Sequence, residues 1–148
     1  MSKKEIAMAY FKEGYNCAQA VFVVFAEDYG ISREAALKLS SSFGGGFGRL
    51  REVCGAVSGM FMVAGILYGY DDPKAGSEKM DLYQMIQDVA HQFEEMNGSV
   101  VCRELLGLTV KEQDPKPEAR TNEYYKKRPC VELVGVAAEI VEKYIAEK

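Results

Sequence analysis

The chain has 148 residues, 48% of them hydrophobic and 27% charged, and a formal net charge of −4. That length favours one domain able to bury roughly two-thirds of its unfolded surface, and the acidic balance leaves no basic footprint for nucleic acid. The opening M-S-K-K-E-I-A-M-A-Y holds no apolar core before a small-residue cleavage site, so the expectation is a cytoplasmic protein whose four cysteines are thiols, metal ligands or redox groups.

Ser2 to Lys12 is a short amphipathic helix candidate, with Ile6 and Tyr10, and Ala7 and Phe11, at helical spacing; Gly14 ends it. Asn16-Cys17-Ala18-Gln19 reads as a capping box, Asn16 capping and Gln19 reaching back. The helix it opens runs to Tyr29, apolar almost all round, which marks it as central. Gly30 stops it, and Ser32 starts an alanine-rich helix to about Ser41.

Ser41 to Tyr70 is the stretch around which the other elements are arranged. A glycine-rich turn (Gly44, Gly45, Gly46, Gly48) carries Arg49 and Arg51 into Cys54, and the uncharged run Val53 to Tyr70 follows. Eighteen residues is the lower limit for a membrane span, but four glycines, a serine and a cysteine favour a buried core helix. Glycine inside a helix costs ~1 kcal/mol relative to alanine, so Gly55, Gly59 and Gly65 imply either that another backbone or a cofactor comes close or that the run is not a simple helix. The turn F-G-G-G-F-G-R resembles an anion nest, yet no Lys-Ser/Thr follows and no strand precedes it, so a phosphate-binding P-loop is unsupported.

After the turn D-D-P-K-A-G, Ser77 caps a longer helix to about Met96, with Leu82, Ile86, Val89, Phe93 and Met96 on its packing face. Ser99 caps a short helix ended by Gly107. From 109 to 128 the chain is polar, with two prolines and no apolar period, and reads as a connecting loop within a single domain, 1–148. The last helix opens at Pro129 and places Leu133, Ala137, Ile140 and Tyr144 on one face. No alternating strand pattern and no repeat is present. The fold class is all-α, a compact bundle of five to six helices.

Cys17, Cys54, Cys102 and Cys130 all fall in the first turn of a predicted helix. Orphan N–H groups and the positive end of the macrodipole gather there and favour thiolate over thiol. Arg49, Arg51, Arg103 and Arg128 are close to three of them in sequence and push the same way. No C-x-x-C is present, so neither a thioredoxin-like couple nor a zinc ribbon is indicated. The opposing reading is that each cysteine acts as a small buried hydrophobe.

One isolated cysteine, then C-G-A-V-S-G at 54–59, then two isolated cysteines resembles the redox-active family named for its C…GCAxxG…C…C pattern. The likeness runs from Cys17 to Cys130. It implies a small redox protein, and through a further likeness to the cysteine-bearing part of split-Soret cytochromes, an iron–sulphur cluster. Their haem-attachment motif is missing here, so the haem half of that likeness does not carry over.

Converging thiolates would suit an iron–sulphur cluster or a tetrahedral zinc, with Cys17, Cys54, Cys102 and Cys130 as ligands and Gly55 and Gly59 giving the backbone clearance around it. Thiol–disulfide exchange without a cofactor uses the same four as catalytic residues, and four cysteines allow three pairings. Either makes the chain an oxidoreductase or electron carrier with a redox partner. A non-enzymatic binding or assembly domain is the alternative, since Gly55-x-x-x-Gly59 and Gly65-x-x-x-Gly69 permit close helix packing within the chain or in a homodimer. His91, the one histidine, reads as a solvated helix position, Lys126-Lys127-Arg128 as a solvated basic patch, and Met60 and Met62 as core.

Overall fold

The computed structural model describes residues 1–109 and 114–147. These contain eight helices and no strand: α1 Lys3–Glu13, α2 Cys17–Ala26, α3 Arg33–Ser40, α4 Gly55–Tyr68, α5 Ser77–Asn97, α6 Cys102–Leu105, α7 Asn122–Lys127 and α8 Cys130–Ala146. The all-α expectation holds, but five to six helices is too few. The polar stretch 109–128 contains α7, whose N-terminus Thr121 caps by accepting from the Tyr124 N–H; residues 110–113 of that stretch lie outside the described residues. Six residues are too few for an apolar period to show in sequence.

The caps follow the local sequence closely. Ser2 accepts from the Glu5 N–H, Ser32 from the Ala35 N–H, and the Asn16–Gln19 capping box forms with both bonds present. Each such cap is worth about 1 kcal/mol. At α5 the expected cap is displaced by one residue, with Gly76 at the cap position and Ser77 the first helical residue. The packing face of α5 also differs at its end. Met85, Val89 and Phe93, spaced strictly by four, are buried, while Met96 leaves that line and is 59% exposed.

α2 and α4 form the centre, packed on each other, and α8 closes over both while pairing with α1. Eight of the ten residues of α2 are buried. Phe11, Phe22, Met60, Met85, Phe93, Val134 and Val141 fill the core between the layers, each contributing about 1.5–3 kcal/mol relative to exposure. The glycines of α4 explain the closeness of its contact with α2. A Cβ on Gly59 would lie 2.8 Å from Val21 Cβ, and one on Gly55 would lie 3.0 Å from Cys17 Cβ. By contrast a Cβ on Gly65 would meet nothing within 4 Å and one on Gly69 would meet only Gly65, so among the described residues no other helix approaches the second small-residue pair closely. Met60 is buried and Met62 partly so, His91 is exposed, and no helix among the described residues is long and apolar enough to cross a membrane.

Candidate functional site

The four cysteines stand at four helix starts: Cys17, Cys102 and Cys130 are the first residues of α2, α6 and α8, and Cys54 is the cap residue of α4. The fold brings all four to the wall of one cavity of about 70 Å³, together with Phe11, Gly55, Leu105, Tyr124 and Leu133. Cys54, Cys102 and Cys130 are 4%, 7% and 8% exposed, and Cys17 is half-buried.

Each approach has a local cause. Gly55 lets α4 lie against the start of α2, which sets Cys54 beside Cys17. The segments preceding α4 and α6 meet in a single antiparallel bridge, Val53 with Val101. Around it the Cys54 N–H donates to Val100 O at 2.8 Å and the Cys102 N–H to Glu52 O at 2.6 Å. The Arg103 guanidinium reinforces this pairing, donating to Arg51 O and to the Glu52 carboxylate, both at 3.2 Å. Arg103 therefore secures backbone and does not face a thiol.

The glycine-rich turn is the fourth wall, and it is left-handed. Gly45, Gly46, Phe47, Gly48 and Arg49 all have φ between 62° and 70°, and Arg51 follows at 60°. Left-handed conformations cost about 1–2 kcal/mol for each residue that bears a Cβ, so Phe47, Arg49 and Arg51 are held there by their surroundings. Gly48 N–H donates to Gly44 O at 2.9 Å, Arg51 N–H to Gly45 O at 3.3 Å and Glu52 N–H to Gly46 O at 2.9 Å. The outcome is that Gly46 presses on α6. A Cβ there would lie 2.7 Å from Cys102 Cβ and 2.8 Å from Arg51 Cα. Arg51, 5% exposed, points its guanidinium at Cys102 Sγ, 3.5 Å away.

Shared placement at helix starts does not give the four thiols shared acidity. Burial pushes Cys54 up to about 12, although the N–H groups of Val57 and Ala56 pull it down. Burial also raises Cys102, against the hydrogen bond and charge of Arg51. Cys130 alone goes below its ordinary value: the adjacent Cys17 thiol donates to its sulfur, and Arg128, Arg120 and Arg51 add their charge. That contact and burial raise Cys17 in turn. The expectation of a thiolate at every helix start is therefore corrected for three of the four. The macrodipole supplies up to about 2 kcal/mol, and removing a charge from water costs more. Tyr124, on the same wall, is raised to about 12 by burial and by Cys130.

Of the two further arginines beside Cys130, Arg128 stands two residues before it in the sequence, but Arg120 has no forewarning there. Arg120, from the polar stretch, donates to Phe11 O at 2.8 Å and to Tyr15 O at 3.0 Å, and its guanidinium lies 4.1 Å from the Phe11 ring centroid. Arg128, read as part of a solvated basic patch, turns inward and is 12% exposed, paired with Glu118. No local pattern marks Arg120, because its partners Phe11 and Tyr15 lie far away along the chain, and the inward turn of Arg128 depends on Glu118. Gly59 packs against Val21 and the Ala18 carbonyl, so its clearance serves the α2–α4 contact, and it is not part of the cavity wall.

The cavity's described lining sets the four thiols beside the polar side chains of Asn16 and Tyr124. Among the described residues no three Cys, His, Asp or Glu side chains gather closely enough to hold a metal ion.

Residues 15–144 match the model of a family described as "Putative redox-active protein (C_GCAxxG_C_C)". No curated protein and no solved structure matches the chain.

Proposed function

The chain belongs to this four-cysteine family, and from that premise we propose that it is a dithiol–disulfide exchange protein in which Cys130 is the attacking thiol and Cys17 the resolving one. One observation carries the assignment: Cys17 and Cys130 line the same small cavity, where the neighbouring Cys17 thiol and the charges of Arg128, Arg120 and Arg51 hold Cys130 below its ordinary value while the other three thiols are raised. The thiolate is the nucleophile in exchange, so the cysteine that ionises first acts first.

In the forward direction the Cys130 thiolate attacks one sulfur of a substrate disulfide. The substrate S–S bond breaks, a mixed disulfide forms, and the first substrate thiolate leaves and takes up a proton. Cys17 then gives up its proton and attacks Cys130 Sγ, the second substrate thiol departs, and a Cys17–Cys130 disulfide remains. Two electrons and two protons have passed from the protein to the substrate. The Arg128, Arg120 and Arg51 charges favour the first thiolate, and Tyr124, kept protonated by burial, stands on the same wall.

The direct test is peptide mapping after treating the reduced protein with 2-hydroxyethyl disulfide. A Cys17–Cys130 linkage, with Cys54 and Cys102 still open to alkylation after denaturation, is expected. A different pairing overturns the assignment. So does stoichiometric iron and acid-labile sulphide in anaerobically purified protein, which would give Cys17, Cys54, Cys102 and Cys130 the role of cluster ligands.

A further inference from the structure

Next to the thiol cavity lies a larger one, of about 360 Å³, and Cys130 and Arg51 line both. Four of the chain's six arginines, Arg49, Arg51, Arg120 and Arg128, face this second cavity, and among the described residues no lysine does. Glu118 is the one carboxylate among its described lining residues. Arg51 is 5% exposed, Arg128 12% and Arg49 17%, although the chain as a whole is acidic. Its rim, at Ser41, Gly48, Pro115 and Pro117, is exposed, and the volume suits a small molecule.

From this we propose that the arginine-lined cavity binds the anionic end of a small carboxylate-bearing disulfide and presents its sulfur to Cys130. The inference rests on the exchange chemistry proposed above and adds the class of substrate. Guanidinium is the group that recognises a carboxylate through paired, planar N–H donors, and the cavity already holds one such contact. Glu118 pairs with Arg128 and lies 3.9 Å from Arg49. Glu118 is itself 41% exposed, so its carboxylate occupies the place from the solvent side and competes with an arriving one. Fixed positive charge in a concave site also raises the local concentration of anions and their rate of arrival.

Three small symmetric disulfides test the assignment: 3,3′-dithiodipropionate, 2-hydroxyethyl disulfide and cystamine, which are anionic, neutral and cationic. The rate of thiol release from each by the reduced protein is measured at low and high salt. The anionic probe is expected to react about tenfold or more faster than cystamine at low salt, the neutral one in between, and the spread to narrow at high salt. Arg49→Gln and Arg128→Gln should each shrink the spread, and Glu118→Gln should widen it. Suberate, which has the shape of the anionic probe without sulfur, reads the anion site independently of the thiols. It should raise Tm in a salt-dependent way, more strongly in Glu118→Gln. Equal rates for the three disulfides would overturn the anion site and leave the exchange chemistry standing. Absence of reaction with all three would overturn the exchange chemistry, and suberate would then decide the anion site alone. No rise in Tm with suberate, or no gain in Glu118→Gln, overturns it.

Discussion

The start of α8 and the start of α4 offer a cysteine the same backbone environment and produce opposite chemistry. At α8, Cys130 faces a neighbouring thiol and three arginines and falls below its ordinary acidity range. At α4, Cys54 has the Ala56 and Val57 N–H groups on its side, no arginine among the largest influences on it, and is pushed up to about 12. A helix start alone does not activate a thiol. Charges brought from elsewhere in the chain have to outweigh the cost of burial, and here they come from three separate segments: the left-handed turn, the polar stretch and the residues just before α8.

The bluntest way to break this contrast is to displace the glycine wall of the cavity that both cysteines share. Gly46→Ala introduces a Cβ at φ 64° only 2.7 Å from Cys102 Cβ and from Glu52 N. A loss of about 3 kcal/mol or more is expected, measured by denaturant unfolding. Gly48→Ala, at φ 62° with nothing within 4 Å, serves as the control and should cost only about 1–2 kcal/mol. Equal losses would mean that the contact with α6 contributes nothing.

A smaller but sharper effect belongs to Cys54. Its folded value is raised, so the native state prefers the protonated thiol. The corresponding stability is complete below the unfolded value of about 8.5 and is lost as pH rises toward about 12. Between pH 8.5 and 11 the loss from this group is on the order of 3 kcal/mol. Cys54→Ser should flatten that alkaline limb by a similar amount, and an unchanged limb in the variant would show that Cys54 is not responsible.

The smallest expected effect is kinetic. Cys17→Ala removes the thiol that lowers Cys130, so alkylation of Cys130 at pH 7 should slow by about tenfold, with its pH profile moved upward. The sign is the reverse of the Cys54 case: Cys130 adds stability above its unfolded value and loses it as pH falls through the folded one. An unaltered profile would remove Cys17 from the account.

Much of this was legible before any coordinates. The Asn16–Gln19 box, the Ser32 cap and the cysteine positions at helix starts depend on neighbours within four residues, and such signals survive in sequence. The convergence of the cysteines could be expected from their shared pattern. Of the groups that set their acidity, Arg51 and Arg128 stand near cysteines in the sequence, but Arg120 and the orientation of Arg128 could not be foreseen. Arg120 is placed by carbonyls of Phe11 and Tyr15, far away along the chain, and Arg128 turns inward toward Glu118. The hand of the glycine turn was equally hidden, because Phe47, Arg49 and Arg51 hold conformations against their own preference. The burial that raises Cys54 comes from the packed core as a whole.

Cys17 and Cys130 open helices at opposite ends of the chain, α2 and α8. Joining them closes a loop on the order of a hundred residues, for which chain entropy alone gives about 4–5 kcal/mol of stabilisation. Exchange at this pair, as proposed, would therefore also change how tightly the whole fold is tied. Linkage makes the relation mutual: whatever the bond adds to the fold, the fold adds to the bond's resistance to reduction, about 30 mV for each 1.4 kcal/mol. An unstrained bond of this reach would be strongly reducing when open and hard to reopen once closed. Its turnover would call for a low-potential electron donor.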